Sequence, residues 1–319
     1  PPAMDDHCSR RRWLGLVGAL ALGCHRGAPG ASGPAVRDVR LPAGVTLHTV
    51  ALGTRRRPVR WALHGGPGLD HTYLRDSFDP IARDARLRYI DLRGHGRSSA
   101  PPDAQGYTLT AAADDLAALA AALNERAVDL VAHDFGAAVA MLAAARNPGL
   151  VRSLTLVAPL RDAAQLRAVG ARSEAALGAA GWRAVQALTT PQGTLRDPHD
   201  LPRLLGLLGP MWWSQTPSAQ ALTRLTERVR YRAEADANFL QDCAGWDARR
   251  LAPQVRCPAL VVAGADDRTF LPEECRSLAD ALPHGQFALI HRAGHLPFVE
   301  RPDDFREALR RFWGQEVRS

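Results

Sequence analysis

The chain has 319 residues, which is enough for one large α/β domain or for a core domain that carries an insertion. Hydrophobic residues make up 46% and charged residues 23%, as is ordinary for a soluble globular protein. All 40 basic residues are arginines scattered along the chain, so the formal charge of +7 does not predict a nucleic-acid-binding arm.

Residues 1–34 are predicted to be an export signal and a tether. Residues 9–14 form a charged n-region that resembles a twin-arginine signal, and the apolar run 14–23 is too short to span a bilayer. Cys24 resembles the lipid-attachment cysteine of a bacterial lipoprotein, and residues 25–34 are rich in Gly, Ala and Pro. We therefore expect an exported protein, periplasmic or held at a membrane by a lipid anchor. The alternative is a cytoplasmic protein with a disordered basic leader.

The cysteines show no metal-ligand spacing and no dense disulfide framework. Cys8 and Cys24 lie in the predicted leader, which leaves Cys243, Cys257 and Cys275 in the folded part. One disulfide among these three is compatible with the sequence. We expect no metal and no organic cofactor.

From Val45 onward, short apolar segments alternate with helical stretches, which predicts a mainly parallel sheet with helices on both faces. The predicted strands are residues 59–63, 87–92, 128–132, 154–157, 259–263 and 287–290, and the predicted helices include 110–123, 137–146 and 302–313. The core is therefore expected to comprise residues 35–158 and 246–319. Between them, residues 159–245 carry no strand signal and several proline breaks, which predicts a helical lid.

A candidate nucleophile, Asp134, lies where the predicted strand 128–132 turns directly into a helix. Ala132 and Gly136 flank it two residues away on each side, which is the small-x-nucleophile-x-Gly pattern of a nucleophile elbow. The start of the next helix also favours an anion at this position. The alternative is that Asp134 only caps that helix, since aspartate is a preferred N-cap residue.

Two later loops supply the remaining members of a catalytic triad. Asp266 and Asp267 follow the predicted strand 259–263, and His295 follows the last strand, which gives the chain order nucleophile, acid, base. Asp267 clears the strand end better than Asp266 and is the favoured orienting acid, although the sequence leaves both open.

The oxyanion hole is predicted in the glycine loop at residues 64–68 (HGGPG), which also follows a strand. The backbone N–H groups of Gly66 and of Phe135, directly after the nucleophile, are the expected donors. His64 and His133 are expected to support these loops.

Together these motifs resemble the α/β-hydrolase superfamily over residues 36–311. Residues 64–67 (HGGP) are similar to the family's HGxP loop, residues 91–98 (DLRGHGRS) to a segment common in epoxide hydrolases and dehalogenases, and residues 133–136 (HDFG) to their HDWG elbow. The full HGGPG unit also resembles proline iminopeptidases, which use serine at the elbow. The resemblance implies an α/β-hydrolase fold with a helical lid.

The aspartate favours displacement at an sp³ carbon, because a carboxylate that attacks an amide forms an anhydride and returns to reactants. The expected substrate is a small apolar epoxide, opened through a covalent ester on Asp134 that His295 then hydrolyses. The alternatives are a haloalkane dehalogenase, another α/β-hydrolase activity, or a ligand-binding protein without turnover.

The chain departs from both Asp-nucleophile families. Phe135 and Gly66 replace the Trp and Asn that cradle a halide in dehalogenases, and the lid contains one tyrosine, Tyr231, where epoxide hydrolases usually use two as proton donors. Tyr231 is therefore a candidate acid. Trp212 and Trp213 are candidates for substrate binding, with packing in the lid core as the alternative.

Overall fold

The computed structural model describes residues 33–54 and 57–316 of the chain. The predicted export signal and Cys24 lie outside these residues. Among the helices of this part of the chain, none is long and apolar enough to cross a membrane.

Within the described residues, eight strands form one sheet in the order β1-β2-β4-β3-β5-β6-β7-β8. The six strands from β3 to β8 run parallel, whereas β1 and β2 pair antiparallel with their neighbours. The strands are β1 (Ala35–Arg40), β2 (Thr46–Leu52), β3 (Val59–Leu63), β4 (Arg86–Ile90), β5 (Val128–His133), β6 (Val151–Val157), β7 (Ala259–Gly264) and β8 (Gly285–Ile290).

The central strands are buried on both faces, which explains their continuous apolar sequences. Every residue of β5 and of β7 is buried. Successive side chains of β7 enter different core layers: Val261 packs in one and Val262 in the other. The sheet therefore has a hydrophobic layer on each face and holds the ends of its parallel strands rigidly along one edge.

In the same part of the chain, twelve α-helices accompany the sheet. They are α1 (Arg75–Phe78), α2 (Leu109–Leu123), α3 (Phe135–Arg146), α4 (Ala163–Leu188), α5 (Leu201–Leu207), α6 (Gly209–Trp212), α7 (Ala219–Thr226), α8 (Ala233–Cys243), α9 (Ala248–Leu251), α10 (Pro272–Ala281), α11 (Pro297–Glu300) and α12 (Pro302–Glu316). Six of them, α4 to α9, lie between β6 and β7. Five of these six, α4 to α8, fall in residues 159–245, which we call the lid.

The expected fold class is confirmed. Strands β1 and β2 are not among the predicted strands, and the elements that are predicted differ from the observed ones mainly at their ends. Helix α3 starts at Phe135 instead of residue 137, and α4 contains a non-helical residue, Gly178, with φ of 66°. No disulfide joins the three cysteines of the described residues, Cys243, Cys257 and Cys275.

Candidate active site

Asp134 occupies a tight turn between β5 and α3. Its φ of 52° lies in the left-handed region that residues other than glycine rarely adopt, so the backbone of the turn is strained. Two residues later, a Cβ on Gly136 would lie 2.3 Å from the carbonyl oxygen of His64. Glycine at 136 therefore lets helix α3 pack directly against the loop that follows β3, which brings the two predicted loops together.

The carboxylate of Asp134 is held by the donors that were expected to form the oxyanion hole. The N–H of Gly66 donates to Oδ2 of Asp134 at 2.9 Å, and the N–H of Phe135 also favours the ionised carboxylate. Burial raises the pKa of Asp134 to about 6, and the nearby charge of His295 opposes that rise. Asp134 is therefore largely ionised at neutral pH, with one oxygen already in the hole.

His295 and Asp267, the candidate base and its candidate acid, are hydrogen-bonded to each other. Oδ2 of Asp267 lies 2.9 Å from Nδ1 of His295, and Oδ1 accepts the N–H groups of Thr269 and Phe270. Because Asp267 fixes the proton on Nδ1, the neutral ring keeps Nε2 as a base. Burial lowers the pKa of His295, but the charge and hydrogen bond of Asp267 outweigh it and leave the pKa raised. Asp266 is exposed, so geometry selects Asp267.

The lid contacts the backbone of both catalytic loops. The N–H of His295 donates to the carbonyl of Trp212 at 2.7 Å, and the N–H of Arg268 donates to the carbonyl of Met211 at 3.0 Å. Glu300 joins the same segments, since its carboxylate accepts the N–H of Gly294 at 2.6 Å and of Ser214 at 2.9 Å. The positions of the base and of the acid therefore depend on the lid.

A small apolar cavity adjoins Asp134. Its volume is about 20 Å³, which is space for about one water molecule. It is lined by Leu69, Tyr73, His133, Asp134, Leu201, Leu205, Trp212, Leu225, Thr226, Val229 and Leu296. A larger open pocket of about 580 Å³ is lined by Trp213, Asp266 and Asp267, among others, but not by Asp134. Of these two spaces, the small cavity is the one that the candidate nucleophile borders.

The two tryptophans of the lid occupy different environments. Trp212 lines the cavity, and its ring centroid lies 5.0 Å from that of His295. Trp213 is buried in the core and does not line this cavity, as the packing alternative predicts. Of this pair, only Trp212 is positioned to touch a substrate beside Asp134.

Tyr231, the expected proton donor, does not line the cavity either. Its hydroxyl donates to Asp236 and accepts the N–H of Leu195 at 3.0 Å, while its ring packs against Gly68. Asp236 is buried, and this burial, with the nearby charge of Asp134, raises its pKa to about 7. In the structure, the Tyr231 proton is therefore directed at a carboxylate.

Three polar residues near the site carried no sequence signal: Tyr73, Asp236 and Glu300. Tyr73 and Glu300 contact His133 and Ser214, which lie 60 and 86 positions away in the chain, so no local spacing could reveal them. Asp236 contacts Tyr231, which lies five positions away, but no motif distinguishes it. The described residues contain no group of three or more His, Cys, Asp or Glu side chains that could hold a metal ion.

The chain is similar to many known proteins, both in its sequence and in its fold. The sequence profile of the alpha/beta hydrolase fold matches residues 62–302. A pimeloyl-[acyl-carrier protein] methyl ester esterase of Xanthomonas campestris pv. campestris is 30% identical over 263 residues, which cover 79% of this chain and 91% of the esterase. Epoxide hydrolase 4 of Mus musculus is also 30% identical, but over 115 residues that cover 36% of this chain and 32% of the hydrolase.

Among solved structures, a proline iminopeptidase-related protein from Thermus thermophilus superimposes with a TM-score of 0.73 at 24% sequence identity. The alignment covers 88% of this chain and 97% of that protein. At this identity the similarity shows a shared fold and does not assign a substrate.

Proposed function

The chain belongs to the alpha/beta hydrolase family, and we propose that within it this enzyme hydrolyses small apolar epoxides through an ester on Asp134. One observation carries the proposal: the residue at the strained elbow is an aspartate whose Oδ2 accepts the N–H of Gly66, beside a base–acid pair of His295 and Asp267. A carboxylate in this position attacks an sp³ carbon and forms an alkyl ester.

The same contact argues against acyl transfer of the kind that esterases and peptidases perform. In acyl transfer, the oxyanion hole stabilises charge on the substrate's carbonyl oxygen. Here Oδ2 of Asp134 itself takes the hydrogen bond of Gly66. A substrate carbonyl would have to displace a charged oxygen, so the activities named for the relatives do not transfer directly.

The proposed reaction has two steps, opening of the epoxide ring and hydrolysis of the resulting ester. First, Oδ1 of Asp134 attacks an epoxide carbon, the C–O bond of the ring breaks, and the released oxygen takes up a proton. Second, Nε2 of His295 removes a proton from water, and the hydroxide attacks Cγ of Asp134. The hole then stabilises the charge on Oδ2 of the tetrahedral intermediate. Cleavage of the bond between Cγ and Oδ1 leaves an alkoxide, which takes the proton from Nε2 of His295 and departs as a diol, and Asp134 loses the proton of its new carboxyl group to become a carboxylate again.

Tyr231 does not line the closed cavity, so we propose that it acts as the proton donor, together with Asp236, once the lid has moved to admit a substrate. When Asp236 is ionised, Tyr231 donates its proton to that carboxylate. A protonated Asp236 instead donates to the Tyr231 oxygen, and the tyrosine proton becomes available for the opened oxygen. The pKa of about 7 makes this protonated form substantial at neutral pH.

The cavity supports a small apolar substrate. Five of the eleven residues that line it are leucines, and an epoxide is larger than the single water for which there is space. The lid must therefore move when substrate enters. Phe135 and Gly66 offer no side-chain N–H to a leaving halide, so epoxide opening is favoured over dehalogenation.

Purified protein without residues 1–34 should convert short apolar epoxides to diols, and Asp134→Asn should abolish the conversion because an amide cannot form the ester. Diol formation is measured by gas chromatography, with matched haloalkanes and methyl esters as competing substrates. Asp38→Asn, at an exposed strand far from the elbow, serves as the control variant. Turnover by Asp134→Asn close to that of the control would contradict the mechanism.

The two steps should respond to pH in opposite directions above neutrality. Ring opening needs Asp134 ionised, with a pKa of about 6, and Asp236 protonated, with a pKa of about 7, so its rate should peak between these values. Ester hydrolysis needs neutral His295, so its rate should rise with pH through the raised pKa of that group. Single-turnover kinetics separate the steps, and ring opening that keeps accelerating above pH 8 would exclude Asp236 from the donor.

A further inference from the structure

A buried chain of hydrogen bonds joins three loops of the site through Tyr73 and His133. The N–H of Gly65 lies 2.6 Å from the Tyr73 oxygen, which lies 2.8 Å from Nδ1 of His133. Nε2 of His133 lies 3.1 Å from the carbonyl oxygen of His295. The chain thus begins in the glycine loop, passes through the residue before Asp134 and ends on the base.

The donors and acceptors in this chain can have only one arrangement. The carbonyl of His295 only accepts, so Nε2 of His133 carries a proton. Burial keeps the pKa of His133 well below its usual value, so the ring is neutral and its Nδ1 accepts. Tyr73 must then donate to Nδ1 while it accepts the N–H of Gly65. Every polar atom of the two side chains is satisfied.

From this geometry we propose that Tyr73 and His133 are positioning residues, which fix the base His295 and the oxyanion loop relative to the nucleophile. The inference rests on the proposed function for its kinetic consequences. Both side chains line the cavity beside Asp134. The polar groups of each are nevertheless hydrogen-bonded either to a backbone group or to the other side chain. Neither hydroxyl nor imidazole has a proton to give the substrate without breaking the chain.

The position of His295 shows why such a link matters. Its N–H is bonded to the Trp212 carbonyl of the lid, and the lid must move to admit a substrate. The His133 bond to the His295 carbonyl comes from the rigid end of β5 instead. The base therefore keeps one backbone contact with the sheet while its contact with the lid is interrupted.

The first test needs no substrate. In ¹⁵N-labelled protein, histidine NMR should report His133 as the neutral Nε2–H tautomer across pH 6 to 8, with its signals assigned by their loss in His133→Gln. Tyr73→Phe should shift the Nδ1 signal of His133, because that nitrogen loses its hydrogen-bond donor, while the proton stays on Nε2 opposite the His295 carbonyl. Tyr89→Phe should leave the His133 signals unchanged. Tyr89 is the matched control because it is equally buried, and its hydroxyl donates to Asp79, away from the cavity. An Nδ1–H tautomer in the parent protein would overturn the proposal.

The second test separates positioning from mere stability. His133→Leu should slow hydrolysis of the ester by about 10²-fold, the scale expected when a catalytic group is misplaced by about 1 Å. His133→Gln retains an N–H where Nε2 lies and should recover most of that loss. The pH dependence of hydrolysis should also change in His133→Leu, because His295 loses its fixed orientation. Equal rates in the Leu and Gln variants, measured on proteins with matching melting temperatures, would contradict a positioning role.

The two proposals fail in different ways. If Asp134→Asn retains turnover, the covalent mechanism is wrong. The NMR experiment still tests the hydrogen-bond chain through His133, because it does not depend on turnover. If Asp134→Asn is inactive while His133→Leu hydrolyses the ester at the parent rate, the mechanism survives and the positioning role is wrong.

Discussion

Replacing His295 by Gln should give an enzyme that forms the ester on Asp134 and cannot hydrolyse it. Alkylation needs the carboxylate, whereas hydrolysis needs a base for water, and loss of such a base costs roughly 10²- to 10⁴-fold in rate. Incubation with an epoxide should therefore add one substrate mass per chain. Intact-protein mass spectrometry measures the adduct, and peptide mapping should place it on Asp134.

The double variant Asp134→Asn/His295→Gln is the control for this experiment, because it lacks the attacking oxygen and keeps every other contact of the cavity. It should acquire no mass. An adduct of the same size on both proteins would mean that another side chain reacts, and an adduct on neither would mean that the substrate class is wrong.

Asp267→Asn should reduce turnover by about 10⁴-fold, the effect expected when the acid of a triad no longer fixes the tautomer of its histidine. The amide can donate to Nδ1 of His295, which then moves the ring proton to Nε2 and leaves no base towards the water. The buried carboxylate of Asp267 accepts hydrogen bonds from the N–H groups of Thr269 and Phe270 and from Nδ1 of His295. Both of its oxygens are therefore in use, and neither is free to replace the acceptor that the substitution removes. Turnover of a saturating epoxide measures the effect.

Asp266→Asn is the matched control, because the same change is made one residue earlier on an exposed side chain. It should leave turnover within about twofold of the parent, as is usual for surface substitutions away from a site. A large loss in Asp266→Asn with a small loss in Asp267→Asn would reverse the assignment of the acid.

The sequence predicts the elbow and the base–acid loops because these features are local. A residue such as Asp134 is recognised from its flanking Ala132 and Gly136, and the loops after β7 and β8 are located by the buried strands that precede them. Loop geometry also favoured Asp267 over Asp266, and the hydrogen bond to His295 agrees with that preference. These elements bring their residues together because parallel strands end at one edge of the sheet.

The contacts that tie the site together are not local, and the sequence alone does not predict them. Tyr73 and His133 are 60 positions apart. Tyr231 is only five positions from Asp236, but both side chains pack against Gly68 of the glycine loop, which is far away in the chain. The sequence identified Tyr231 by residue type, whereas the direction of its hydroxyl depends on how the lid folds back. Similarly, Trp212 and Trp213 are neighbours in the chain, and packing alone decides that one faces the cavity and the other the core.

The backbone N–H groups of His295 and Arg268 donate to carbonyls of the lid, which links lid closure to the hydrolysis step of the proposed reaction. In the proposed mechanism, displacement of the lid removes these two partners, while the bond of His133 to the His295 carbonyl keeps the base attached to the sheet. Closure restores both lid contacts around whatever has entered. Hydrolysis of an ester on Asp134 is therefore expected to be fastest in the closed site, where the base has its lid and sheet contacts together and bulk water has been excluded.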